Sequence, residues 1–178
     1  MIFQEIFLKG VFIITPEPYK DNRGLLRRHY CQDEFQDKDL MTEILQCHIS
    51  ENTRMHTLRG FHYQEPPYGE NKCISCLKGS IYDIVVDLRE DSNTYLKWKS
   101  VTLNDENRLS LYVPKGCANA FITLGDESII HYYSSQRYTP GVESGIRYND
   151  PMFNFVWPCR PKVISEKDLS HPDFIVKK

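Results

Sequence analysis

The chain of 178 residues predicts an all-β fold, a jelly-roll β-sandwich or barrel in a single domain spanning 1–178. Three observations carry the prediction. Short runs rich in Val, Ile, Phe, Tyr and Thr recur as far as Ser134, turn residues separate them at regular intervals, and helical periodicity is almost absent. One domain suffices at this length, which is enough to bury a substantial core.

Taken in order, Phe3 to Thr15 has no helical period and predicts one or two strands. Pro16, Pro18 and the group Lys20-Asp21-Asn22-Arg23-Gly24 predict a loop. Between Cys31 and Met41, Phe35 and Leu40 are spaced among Asp33, Glu34, Asp37, Lys38 and Asp39, the one short helix or helical turn. Ile44 to Ser50 and Leu58 to Gln64 predict strands joined by a turn over Glu51 to His56, and Pro66-Pro67-Tyr68-Gly69 closes the second. Lys72 to Leu77 and Ser80 to Arg89 form a hairpin about Lys78-Gly79. In its second arm Tyr82, Ile84, Val86 and Leu88 alternate with Asp83 and Asp87, so one face is expected to be apolar and the other solvated. Leu96 to Leu103, Arg108 to Val113, Ala120 to Leu124 and Ser128 to Ser134 complete about eight to eleven strands, a number that a jelly roll closes most readily. Such a fold can hold a small ligand in its mouth. The tail from Gly145 to Lys178, rich in Pro, Asp and Lys, is expected to pack over an edge or an opening.

Hydrophobic residues at 40%, charged residues at 26% and a net charge of -2 are those of a soluble globular protein. The balance gives no reason to expect nucleic acid, so an anionic ligand must be met by local cations. Neither a basic-then-apolar leader nor a membrane-length apolar run is present, and the expectation is a cytoplasmic protein with no membrane partner. The six cysteines are scattered, and reduced thiols are expected. Cys73-Ile74-Ser75-Cys76 has the spacing of a metal knuckle, but residues three apart on a strand face opposite sides and no second pair completes a tetrahedron, so packing is the expected role.

The chemistry centres on Leu58-Arg59-Gly60-Phe61-His62-Tyr63-Gln64. A histidine between two aromatic residues is either a hydrogen-bonded core residue or a reaction centre. Arg59 and His62 are three apart and reach one site only if Gly60 marks a twist or bulge. Of Tyr132 and Tyr133, one must face inward. Lys72 and Arg59 are candidate cations, though such side chains also snorkel to solvent.

That stretch, followed by Pro66-Pro67, together with Asp21-Asn22-Arg23-Gly24, Tyr82-Asp83-Ile84-Val85-Val86-Asp87-Leu88-Arg89, Glu106-Asn107-Arg108, Pro114-Lys115-Gly116, Tyr138-Thr139-Pro140, Trp157-Pro158 and Ser165-Glu166-Lys167-Asp168, resembles the dTDP-4-dehydrorhamnose 3,5-epimerase (RmlC-like) family over almost the whole chain. The resemblance implies a cupin-type jelly roll, a homodimer, and a nucleotide-diphosphate 4-keto-6-deoxy sugar as substrate, with neither metal nor redox cofactor. It also implies His62 as general base, Asp168 as the carboxylate that orients it, Tyr132 as general acid and Lys72 as the cation beside the sugar ketone. Arg59 and Arg23 match residues that hold the diphosphate. Tyr138 matches a ring lining the site, Gln46 a polar residue near the nucleotide, and Lys167 belongs to the substrate-binding set.

Three positions depart from the family pattern. Cys117-Ala118-Asn119-Ala120-Phe121 places Asn119 where a histidine is usual, which leaves both inversion at C3 alone and inversion at C3 and C5 open. Arg28 stands where a glutamate is usual and suits guanine O6 and N7. His48 replaces an asparagine. Together these point to a divergent branch acting on a GDP-4-keto-6-deoxyheptose for surface polysaccharide. The alternatives are the dTDP-4-dehydrorhamnose 3,5-epimerase of dTDP-L-rhamnose synthesis, a catalytically inactive sugar-nucleotide-binding cupin, and a metal cupin using His56, His62, Glu65 and His131.

Overall fold

The computed structural model describes residues 1–176. Among these, thirteen strands and two short helices follow in the order β1 (Ile2–Glu5), β2 (Phe12–Thr15), β3 (Tyr19–Asp21), β4 (Gly24–Leu26), α1 (Gln32–Gln36), β5 (Gln46–Asn52), β6 (Leu58–Gln64), β7 (Lys72–Lys78), β8 (Ser80–Asp87), β9 (Trp98–Asn104), β10 (Ser110–Val113), β11 (Cys117–Thr123), β12 (Ser128–Ser134), β13 (Glu143–Gly145) and α2 (Glu166–Leu169). A six-stranded sheet, β1-β2-β10-β7-β12-β5, faces a five-stranded sheet, β13-β6-β11-β8-β9, with β3 and β4 as a separate hairpin. All pairings between these strands are antiparallel. This is the jelly-roll sandwich that the strand count predicts, of the cupin type that the family resemblance implies. The loop expected at Lys20 to Gly24 is instead a tight hairpin, and β11 begins at Cys117 rather than Ala120. Cys117-Ala118-Asn119 offers little β-branched signal, and its pairing with Asp87, Val86 and Val85 is what makes it a strand.

Alternation sorts side chains into three layers. Leu8, Val11, Ile74, Cys76, Ile81, Val85, Leu103, Leu111, Cys117 and Ile130 fill the space between the sheets. Phe35, Met41, Cys73, Tyr112 and Tyr133 form a second core, on the outer face of the larger sheet and against α1. Cys73 and Cys76 therefore lie in different cores, both buried, as expected of residues three apart on a strand.

The outer face of the smaller sheet is also covered. Phe61, Ile84 and Val86 pack against Phe153, Phe155, Trp157 and Phe174 from the tail, with the Phe61 and Phe155 rings stacked at 4.3 Å. The tail thus closes a sheet face, and from Lys162 to Asp168 it also runs along the start of β6 and borders the recess beside His62. Covering both sides of β8 inverts the expectation for its carboxylates. Asp83 and Asp87 share the inner face with Ile81 and Val85, and both are 0% exposed. Asp87 is compensated there by Arg89, Ser92 and Thr94. Burial raises its pKa, but these donors outweigh that and bring it to about 2.

Candidate active site

Between the sheets lies a cavity of about 360 Å³ lined by His48, Arg59, His62, Lys72, Asn119 and Tyr132, with Ile74 and Phe121 as apolar wall. Strand β6 supplies Arg59 and His62 to the same cavity, which regular alternation forbids. The bulge foreseen at Gly60 resolves this: Asn119 pairs with His62 while Phe121 pairs with Arg59, so the β6 segment holds one residue more than its partner. Gly60 has φ +103, and a Cβ there would sit 2.6 Å from the Asn119 carbonyl oxygen, so glycine is required on both counts.

His62 Nε2 lies 2.7 Å from Asp168 Oδ1. Asp168 is 4% exposed and is presented by α2, whose first turn is capped by Ser165 Oγ accepting the Asp168 N–H. Burial pushes this carboxyl up, but the hydrogen bonds from His62, the Gly60 N–H and Ser165 prevail and hold it below the usual range. An ionised carboxylate only accepts, so His62 carries its proton on Nε2 and keeps the Nδ1 lone pair.

Lys72 and Tyr132 come from the opposite sheet. Lys72 Nζ donates to the His62 carbonyl at 3.2 Å and pairs with Glu70 at 3.1 Å. Tyr132 points inward and Tyr133 into the outer core. Burial, reinforced by Glu70, raises the Tyr132 hydroxyl pKa and keeps it protonated. His48 stacks on the Tyr132 ring at 4.9 Å and 18°. Asn119 lines the cavity and donates Nδ2–H to Asp83 Oδ2 at 3.1 Å. Arg59 Nε donates to Asn52 at 2.7 Å.

A second recess next to the first is lined by Gln46, Glu70, Tyr138 and Glu143. There Gln46 Oε1 accepts the Tyr138 N–H, and the Tyr138 hydroxyl donates to Glu143 at 3.4 Å. Lys167 pairs with Glu143 at the Asp168 side. Glu143, which sequence reasoning passed over, thus ties Tyr138 and Lys167 together. It sits in a short strand with no apolar alternation, so no pattern announces it.

Two predicted residues are elsewhere. Arg23, at the tip of the β3–β4 hairpin, is 83% exposed in its side chain and pairs with Asp21 at 2.5 Å. Arg28 is 63% exposed and pairs with Glu34 at 2.7 Å. Neither lines the cavity of its own chain. The metal-cupin grouping is not assembled either. His131 lies on the face of β12 away from Tyr132, 3.1 Å from His29 and 3.0 Å from Cys47, and among the described residues no three His, Cys, Asp or Glu side chains gather as a metal would need.

Residues 5–175 match the family model for dTDP-4-dehydrorhamnose 3,5-epimerase. The chain belongs to that family. A relative from Methanothermobacter thermautotrophicus, a dTDP-4-dehydrorhamnose 3,5-epimerase, is 39% identical over 93% of this chain and 90% of its own. The crystal structure of the family member from Bacillus anthracis with TDP and pyrophosphate bound superposes with a TM-score of 0.94, at 30% identity over 97% and 99% of the two chains. ChmJ, a 3'-monoepimerase from Streptomyces bikiniensis solved with dTDP-quinovose, gives a TM-score of 0.88 at 27% identity over 94% and 85%. The two epimerases are named for a dTDP sugar and ChmJ was solved with one, which favours the dTDP alternative over a GDP-linked heptose.

Proposed function

We propose that the protein is an epimerase of a dTDP-linked 4-keto-6-deoxy sugar. One observation carries the reading: a carboxylate-held histidine on one sheet and a protonated tyrosine on the other line the same cavity, together with a lysine. The C4 ketone acidifies the neighbouring C–H bonds. His62 Nδ1 takes a proton from one face of the ring, with Asp168 stabilising the imidazolium that forms. Lys72 stabilises the enolate oxygen. Tyr132 returns a proton from the other face, and the centre is inverted. Arg59 is the cavity's cation for the diphosphate, and His48 and Asn119 hold the sugar or nucleotide by hydrogen bonds. Gln46, Tyr138 and Lys167 border the second recess, where the remainder of the ligand would extend.

Asn119 favours inversion at C3 alone. Its amide cannot relay protons near neutral pH, and a 3'-monoepimerase is among the similar structures. The protein is further proposed to act as a cytoplasmic homodimer. The β3–β4 hairpin projects Arg23 away from its own cavity, and a second copy is the natural place for it to find one. No described helix is long and apolar enough to cross a membrane.

Incubation with dTDP-4-keto-6-deoxyglucose in deuterated water, followed by NMR, tests the reading. Deuterium at C3 alone is expected. Incorporation at both C3 and C5 identifies the double epimerase, and no exchange removes the catalytic assignment in favour of a binding module.

A further inference from the structure

Asp83 is the one carboxylate in the inner layer beside the cavity that lacks compensation on one side. It is 0% exposed, it lies among Ile81, Val85 and Phe121, and among the described residues its carboxylate has one hydrogen bond, from Asn119 to Oδ2 at 3.1 Å. Among the described residues Oδ1 finds no partner. An ionised carboxylate with one bare oxygen in such a layer is costly. A protonated one needs an acceptor, and the polar side chain already in contact is the Asn119 amide.

That amide can serve either state. With Asp83 ionised, Asn119 turns its N–H inward and shows its carbonyl oxygen to the cavity. A half-turn about the terminal torsion exchanges oxygen and nitrogen: protonated Asp83 then donates O–H to the Asn119 oxygen, and the NH₂ group faces the cavity.

We propose that the Asp83 carboxyl decides which end of the Asn119 amide the cavity presents to the sugar, making Asp83 a positioning residue that acts through Asn119. The inference rests on the epimerase reading of this cavity and deepens it. With the amide nitrogen outward, Asn119 joins Lys72 as a donor to the enolate oxygen. With the oxygen outward, the same position repels that anion and accepts a hydroxyl instead. The competent form is therefore the protonated one. Burial raises the Asp83 pKa to about 8 against the opposing pull of Asn119 and Lys72, which puts the exchange within the working range of an enzyme. The other ionisable groups around the cavity are Lys72 from β7, Arg59 and His62 from β6, Tyr132 from β12, and His48 and Glu51 from β5.

Two measurements test this. In the ligand-free protein, the Asp83 carboxyl carbon and the Asn119 side-chain amide are followed by NMR from pH 6 to 10. The two are expected to move with one midpoint, and Asp83→Asn is expected to abolish the movement of the amide. An Asn119 amide that does not respond, or an Asp83 carboxyl that titrates near 4, overturns the proposal. In deuterated buffer, kcat/KM for sugar C–H exchange is expected to fall about tenfold above that midpoint, the worth of one hydrogen bond. Asp83→Asn is expected to retain exchange but lose the step, and Asn119→Ala to lower exchange about tenfold at every pH and lose the step as well. A step that survives in Asp83→Asn belongs to Lys72 or Tyr132 and overturns the proposal. Absence of exchange in the unaltered protein at every pH removes the epimerase reading, and the NMR titration then decides the Asp83–Asn119 coupling separately.

Discussion

His62 and Asp168 are joined twice over: Oδ1 of Asp168 lies 2.7 Å from His62 Nε2, and Oδ2 accepts the N–H of Gly60, two residues before His62, at 3.1 Å. One carboxylate thus fixes the tautomer of the imidazole and the backbone bulge that aims it. In Asp168→Asn the amide can donate to Nε2, which shifts the ring proton to Nδ1 and removes the lone pair facing the cavity. C–H exchange is expected to fall about 10³-fold or more, by analogy with other wrong-tautomer histidines, while the fold is kept. Exchange within tenfold of the unaltered protein would show that Asp168 does not set the base.

Tyr132→Phe keeps the ring stacked on His48 and removes only the hydroxyl. Deuterium is still expected to enter the substrate from the His62 side, whereas inversion slows about 10²-fold or more. The ratio of washed-in label to epimerised product, read by NMR, separates the two steps. Equal loss of both would assign Tyr132 to proton removal instead.

Lys72→Met preserves length and apolar packing but deletes the charge. Loss of the donor to the enolate oxygen is expected to lower kcat about 10²-fold with a smaller change in KM. A change confined to KM would place Lys72 in ground-state binding.

Gly60→Ala forces a Cβ against the Asn119 carbonyl at a φ that side chains resist. Destabilisation of about 2 to 3 kcal/mol in urea unfolding is expected, with activity lost in proportion to the displacement of Arg59 relative to His62. A neutral outcome would mean that the bulge is more plastic than its close contact implies.

The two buried carboxylates of β8 should respond to pH in opposite directions. Asp87 is depressed to about 2, so its contribution to stability is present above the ordinary carboxylate value and is lost as the pH falls through the depressed one. Asp83 is raised to about 8. Unfolding then releases its proton, and stability declines as the pH rises from about 4 toward 8. Asp83→Asn is therefore expected to raise the melting temperature at pH 7, with the gain gone by about pH 4, and Asp87→Asn to lower it at pH 7. A lower melting temperature for Asp83→Asn at pH 7 would show that its carboxyl is ionised and satisfied.

Much of the sandwich was legible because strand signals are local. Leu58 to Gln64 and Ser128 to Ser134 coincide with β6 and β12, and the alternation that separates Tyr132 from Tyr133 follows from strand geometry alone. The bulge at Gly60 was also readable, since two polar residues three apart had to meet. What escaped depends on distant contacts. Asp83 and Asp87 read as a solvated face because nothing local reveals that tail aromatics some seventy residues later cover the other side of β8. Arg23 matched the family pattern and Arg28 departed from it, yet both side chains are exposed and paired with nearby carboxylates outside their own chain's cavity. Glu143 carries no periodic signal and became visible only through its partners.

The proposed base and the proposed acid stand on strands of different sheets, β6 and β12, with the interior core between and beneath them. The gap that the sugar ring must span between them is therefore set by the spacing of the two sheets, as the opening of a caliper is set by its jaws. Trimming a core side chain such as Ile130 or Val85, remote in sequence from His62, should alter the turnover rate before it alters the fold, and catalytic rate becomes a ruler for the packing of the sandwich.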